Sequence, residues 1–159
     1  MAEEYEHHRD DLHRRGRALP GAEDTLATLA AEPALIQSVL SGNLRAVSRT
    51  KLNVFELDKY LDLEIGAYGD DDPERPMLVA IAQERAHRKY GTPFSTANTV
   101  VVGDSTHDIK TGREGGARSI GIASGSDDVD TLRKAGADAV LPDLTDARAV
   151  LAALRGLLT

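Results

Sequence analysis

Apolar positions recur along the chain in two rhythms. Short aliphatic runs at residues 35–40 (Leu-Ile-Gln-Ser-Val-Leu), 100–102 (Val-Val-Val), 118–123 (Arg-Ser-Ile-Gly-Ile-Ala) and 139–141 (Ala-Val-Leu) read as strands. The alternation Leu-Asp-Leu-Glu-Ile-Gly-Ala-Tyr at 61–68 reads as a weaker strand of the sort found near a sheet edge. Between these runs the period lengthens to that of a helix. Residues 22–31 turn Leu26 and Leu29 inward, and a helix after Asn43, running to about Leu57, offers Leu44, Val47, Leu52 and Phe55. Residues 74–90 place Leu78, Ile81, Ala82, Arg85 and Ala86 on one stripe and stop at Gly91 and Pro93. A short helix is expected over 127–135, and a last one over 146–158 with Val150, Leu151 and Leu154 inward. Strands alternating with helices at this spacing predict a mainly parallel sheet covered on both faces, a three-layer α/β/α Rossmann-like arrangement. The unbroken run Val100–Val102 predicts a strand buried on both sides, in the middle of that sheet.

Composition narrows the function classes. The 159 residues are 41% hydrophobic and 28% charged, as in an ordinary globular domain with enough length to bury a core. With no cysteine there is neither a disulfide framework nor a thiolate nucleophile or metal ligand, which suits a cytoplasmic location. A formal net charge of −7 argues against nonspecific binding to nucleic acid. No apolar run reaches membrane-spanning length, so no membrane association is expected. Residues 2–15 are strongly polar, with Tyr5 and Leu12 as their few large apolar side chains, so 1–18 is set apart from a layered core over 19–159. His7 and His8 are adjacent and would point to different sides of a helix; with His13 they read as a solvated face.

Three loops carry candidate chemistry. At the end of the 100–102 strand comes Gly103-Asp104-Ser105-Thr106-His107-Asp108, in which Asp104 ends the strand and Asp108 falls in the first turn of the next helix. Two carboxylates at the carboxyl edge of an open α/β sheet suit a hard cation such as magnesium, which takes one or two carboxylates beside water and phosphate. Asp108 equally suits plain helix capping. Ser41-Gly42-Asn43 ends the 35–40 strand, and its hydroxyl and N–H groups can hold a phosphoryl oxygen or simply form a capped turn. Arg75 and Pro76 stand at the entrance of the 74–90 helix, where the cation either reaches over the sheet edge or stays on the surface. The triplet Asp70-Asp71-Asp72 lacks the offsets of a calcium loop and reads as a solvated turn.

In that order, Ser41, Arg75 and the Gly103–Asp108 segment resemble the second, third and fourth motifs of the haloacid dehalogenase superfamily. The resemblance covers residues 19–158 and is most specific over 100–125, where Gly-Asp-Ser-x-x-Asp is followed by Gly116-Ala117 and a second strand. Within the family it looks most like the phosphoglycolate-phosphatase branch. It implies a HAD-like core, phosphate monoester hydrolysis through an aspartyl-phosphate, and a small phosphorylated metabolite as substrate. By position, Ser41, Gly42 and Asn43 would bind the phosphoryl group, Arg75 would replace the usual lysine, and Asp104 and Asp108 would hold Mg2+. Arginine keeps the charge but changes the fork and the reach.

One departure matters. The family's Asp-x-Asp-x-Thr strand, which supplies the nucleophile, does not precede Ser41; the nearest likeness, Asp128-Val129-Asp130-Thr131, continues with Leu132 and follows a polar turn. The resemblance therefore implies that the first central strand and most of the cap are missing, with 1–18 a residual cap or linker helix. Two strand edges would then be unpaired, at about 1–3 kcal/mol for each buried unsatisfied group. They would have to close up, pair within a homo-oligomer, or take a strand from another chain. Two functions follow: a phosphatase-type hydrolase inactive in this form, or a noncatalytic module that binds magnesium, phosphate or a partner strand.

Overall fold

The computed structural model describes residues 19–158, so the helix expected over 1–18 lies outside the described residues. The helices are α1 (Ala22–Ala30), α2 (Arg45–Val54), α3 (Arg75–Tyr90), α4 (Thr106–Gly115), α5 (Val129–Lys134) and α6 (Ala147–Leu157). The strands are β1 (Val100–Gly103), β2 (Arg118–Ile122) and β3 (Ala139–Leu141), with short 3-10 turns at Asp58–Tyr60 and Thr96–Asn98. The sheet is parallel in the order β1-β2-β3, with Val100 opposite Arg118 and Ile120 opposite Ala139.

The alternation of β2 decides how the layers close. Ile120 and Ile122 point to one face and pack with Leu29 of α1 and with Val150 and Leu154 of α6. Ser119 and Gly121, small by contrast, lie beneath α4 and α5, where Gly112 approaches Ser119 and Leu132 approaches Gly121. Large residues on one face and small ones on the other let two helix layers sit at different heights on one strand. Helix α3 packs along α4. Its buried Leu78, Val79 and Ala86 follow the expected stripe, with Val79 added.

Two expected strands do not form. Residues 35–40 and 61–68 form a single parallel bridge, Leu40 with Ala67, supported by Ala67 N–H to Val39 O and Ser41 N–H to Ala67 O, each 3.1 Å, while Asp62 N–H donates to Gln37 O at 2.8 Å further back. In the second segment Asp62 Oδ1 accepts from Glu64 N–H at 3.1 Å. Such an Asx turn bends the backbone out of the ladder although the side chains alternate. The first segment stays extended, but among the described residues it has a neighbour on one side only.

Strand β1 is also corrected: it forms the sheet's edge instead of its middle, because among the described residues only β2 pairs with it, and Val102 is left 43% exposed. Leu44 is not part of a buried face either. It is the N-cap of α2, 53% exposed, and neither it nor Asn43 caps through a side chain.

Ile120 is fully buried at the centre of the sheet. Ile120→Ala is expected to cost about 2–5 kcal/mol of unfolding free energy with a cooperative transition retained, measured by urea unfolding.

Candidate functional site

The loops named from the sequence lie along the carboxyl rim of the sheet, and one arginine ties two of them together. Arg75 is the first residue of α3, with Pro76 behind it fixing the helical entry. Its side-chain stem runs past Gly42, whose absent Cβ would sit 3.6 Å from Arg75 Cδ. The guanidinium then reaches Asp108, with Nη2 3.0 Å from Oδ1. Arg75 Nε is buried and has no hydrogen-bond partner among the described residues. A buried guanidinium N–H without an acceptor beside a glycine turn is a place for an anion.

Asp108 serves two purposes. It is the N3 residue of α4 in a reciprocal capping box: Ser105 Oγ accepts from Asp108 N–H, and Asp108 Oδ2 accepts from Ser105 N–H at 3.1 Å and from Ser105 Oγ–H at 3.0 Å. Its other oxygen holds Arg75. The capping reading of this residue is thus realised, and its carboxylate is also paired with Arg75. Asp104, by contrast, has no side-chain hydrogen bond among the described residues. The loop after β2 holds it in place, with Asp127 N–H donating to Asp104 O at 3.1 Å and Asp127 Oδ2 accepting from Thr106 N–H at 2.8 Å. Two glycines make room here: a Cβ on Gly125 would collide with the Asp104 carboxylate, and one on Gly103 with the side chain of Asp108.

Ser41 stands at the end of the bridged segment, and its Oγ accepts from Asn43 N–H at 3.1 Å. That geometry leaves the hydroxyl proton free to donate outward. Gly42 and Asn43 are exposed. The structure therefore joins Gly42, Arg75 and Asp108 through one side chain and sets Asp104 on the same turn as Asp108.

As a metal centre the chain's own set is two carboxylates, since no group of three or more His, Cys, Asp or Glu residues comes together among the described residues. Two oxygen ligands match what magnesium takes when water and a substrate phosphate fill the other positions. Asp104 is the uncommitted one of the pair.

The acidic turn is not simply solvated, as expected from sequence. Asp70 Oδ1 accepts from Arg45 N–H at 2.6 Å, and Asp72 Oδ1 from Glu74 N–H at 2.8 Å. Asp71 takes a two-pronged contact from Arg85 at 2.7 and 2.9 Å. A signal was present: Arg85 falls on the apolar stripe of α3, and a charge on a half-buried face calls for a partner.

These features define a layered α/β protein with an acidic, arginine-bridged rim at the carboxyl ends of its strands. Residues 72–147 match the family model described as HAD-hydrolase-like. Over those residues the chain is similar to this HAD-like family. The curated "Putative pyrophosphatase PpaX" of Caldanaerobacter subterraneus subsp. tengcongensis is 26% identical over 151 residues, covering 91% of this chain and 63% of that protein. A hydrolase from Pseudomonas syringae superposes with a TM-score of 0.70 at 27% identity, over 90% of this chain and 63% of the other. A HAD family hydrolase from Deinococcus radiodurans R1, crystallised with bound phosphate and sodium, gives a TM-score of 0.66 at 25% identity, over 89% and 62%. The chain thus spans somewhat under two thirds of the length of the relatives it matches.

Hydrogen bonds from Arg85 hold the Asp71 carboxyl below its ordinary value of 3.8. A lowered folded-state value stabilises the protein above the unfolded value, and that contribution is lost as pH falls through the folded one. Asp71→Asn is therefore expected to unfold at lower urea than the parent near pH 7, with the gap narrowing below about pH 4, in a series of urea titrations against pH.

Proposed function

We propose that this rim binds the phosphoryl group of a small phosphorylated metabolite, as the phosphate-holding part of a phosphatase-type HAD hydrolase. The observation that carries the reading is Arg75 stretched between Gly42 and Asp108 with its Nε unpaired. The Deinococcus relative with bound phosphate and the pyrophosphatase name of the curated relative support the ligand class. Ser41 donates its hydroxyl proton to a phosphoryl oxygen while accepting from Asn43 N–H, and the Gly42 and Asn43 backbone lines the same turn. Arg75 offers charge and N–H donors, oriented by Asp108. Magnesium, when bound through Asp104 and Asp108, neutralises phosphoryl charge.

The 159 residues contain no Asp-x-Asp-x-Thr segment ahead of Ser41. We accordingly assign them binding without appreciable turnover, since positioning and charge alone leave a small part of the catalysis. In the longer enzyme of this reading, a carboxylate from outside these residues attacks phosphorus. The new carboxylate O–P bond forms as the ester O–P bond breaks and the leaving oxygen takes up a proton to depart as the alcohol; water then splits the acyl phosphate, giving back a proton as inorganic phosphate is released and the carboxylate restored. The phosphoglycolate-phosphatase-like branch and a cytoplasmic setting remain the expectation carried by the Gly-Asp-Ser segment and the cysteine-free composition. No described helix is long and apolar enough to cross a membrane.

Calorimetric titration of the chain with inorganic phosphate and Mg2+ is expected to show binding that Arg75→Ala weakens about tenfold, equivalent to roughly 1.4 kcal/mol. With p-nitrophenyl phosphate no nitrophenol release is expected. Binding insensitive to Arg75→Ala and Ser41→Ala would overturn the phosphate reading; turnover abolished in Asp104→Asn would overturn the assignment of an incomplete catalytic set.

A further inference from the structure

The loop assigned to phosphate has little of its own to hold it. Gly42 and Asn43 are exposed, the N-cap of α2 is a leucine without a capping side chain, and Ser41 connects to a single bridge. What fixes its shape comes from residues 68–71, far along the sequence. Gly69 N–H donates to Asn43 O at 2.8 Å, and the Gly69 backbone lies so close to Gly42 O that a Cβ would collide with it. Asp70 supplies the missing cap of α2 by accepting from Arg45 N–H at 2.6 Å. The Arg45 guanidinium lies 4.9 Å from the ring centre of the fully buried Tyr68, whose hydroxyl donates to Leu63 O at 3.0 Å. Tyr68 and Gly69 thus grip the loop from beneath while Asp70 closes it from the side.

The turn is anchored in its own right. Asp71 accepts from Tyr68 N–H at 2.9 Å and from both terminal nitrogens of Arg85, and Arg85 also donates to Gly66 O at 2.6 Å. Arg85 lies about three turns along α3 from Arg75. One rigid helix therefore carries the arginine that crosses the rim and, further along, the arginine that fixes the 68–71 turn. Each of the three aspartates accepts from a backbone N–H, and among the described residues no group of three or more His, Cys, Asp or Glu residues comes together to hold a cation.

We propose that residues 69–71 are the positioning element of the Ser41–Asn43 loop, with Asp70 as the positioning residue that sets the phosphate-binding conformation of residues 41–45. The inference rests on the phosphate reading given above. Its specific content is that phosphate affinity depends on a carboxylate that does not touch phosphate.

Amide NMR of the 159-residue chain, titrated with inorganic phosphate, separates the possibilities. The parent is expected to show phosphate-induced shifts at Gly42 and Asn43. Asp70→Ala is expected to raise the phosphate dissociation constant about tenfold and to speed exchange of the Arg45 amide, leaving the Ile120 amide at the parent rate. Asp70→Asn, which keeps an acceptor oxygen, is expected to restore both to within about threefold. Gly69→Ala, which pushes on Gly42 O without altering any charge, is expected to lower phosphate affinity as well. Parent-like affinity in Asp70→Ala would overturn the proposal, whether or not Arg45 exchange rises, since faster exchange alone would make Asp70 only a helix cap. Absence of phosphate shifts in the parent would overturn the phosphate reading itself, and the hold of the turn on the loop is then decided by the Gly42 and Asn43 amide resonances of the unliganded protein: moved in Asp70→Ala sustains it, unmoved sinks it.

Discussion

The contact on which the rim depends is the 3.0 Å ion pair between Arg75 and Asp108. It is not a source of much stability. With the arginine side chain 35% exposed and the aspartate 18%, solvent screens it, and pairs of this kind contribute up to about 1 kcal/mol. Its importance is geometric. Asp108 is immobilised by its capping box with Ser105, and Arg75 by the start of α3, so the pair meets only if α3 packs against α4 at the right height. Packing supplies the energy, and the ion pair turns that packing into a fixed direction for a guanidinium.

Helix α3 consequently acts as the frame of the site. Its buried stripe of Leu78, Val79 and Ala86 is ordinary hydrophobic packing, worth far more than either of its arginine contacts. The same stripe leaves Arg85 half-buried, facing the acidic turn. The Asp108 turn and the acidic turn are thus both referred to a single rigid body, α3, through Arg75 and Arg85.

Much of this was legible in the sequence, and the failures are instructive. The helices declared themselves through their ends: Pro76 and Gly91 bound α3, Ser105 with Asp108 opens α4, and Asp128 and Asp146 cap α5 and α6. Such signals are local, so one sequence suffices to read them. The strands fared unevenly because a strand exists only with its neighbours. Residues 118–122 and 139–141 have partners and form; residues 35–40 have the same aliphatic character and stop at one bridge. The alternation at 61–68 was overruled by Asp62, whose carboxylate makes a turn. The triple aspartate was misread for the converse reason: its partners, Arg45 and Arg85, lie 25 and 14 residues away, and no local pattern announces a contact at that distance.

An arginine at position 75 suits this geometry in a way that a lysine would not. A lysine would present one compact charge with rotatable donors, which Asp108 alone could occupy. An arginine is a planar fork, so one terminal nitrogen can be spent on Asp108 while Nε, near Gly42, stays buried and without an acceptor among the described residues. The stem passes Gly42 in ordinary van der Waals range, Cδ lying 3.6 Å from where a Cβ would stand. Arg75 thus runs from the start of α3 past the Gly42 turn, and Asp108 fixes where that crossing ends.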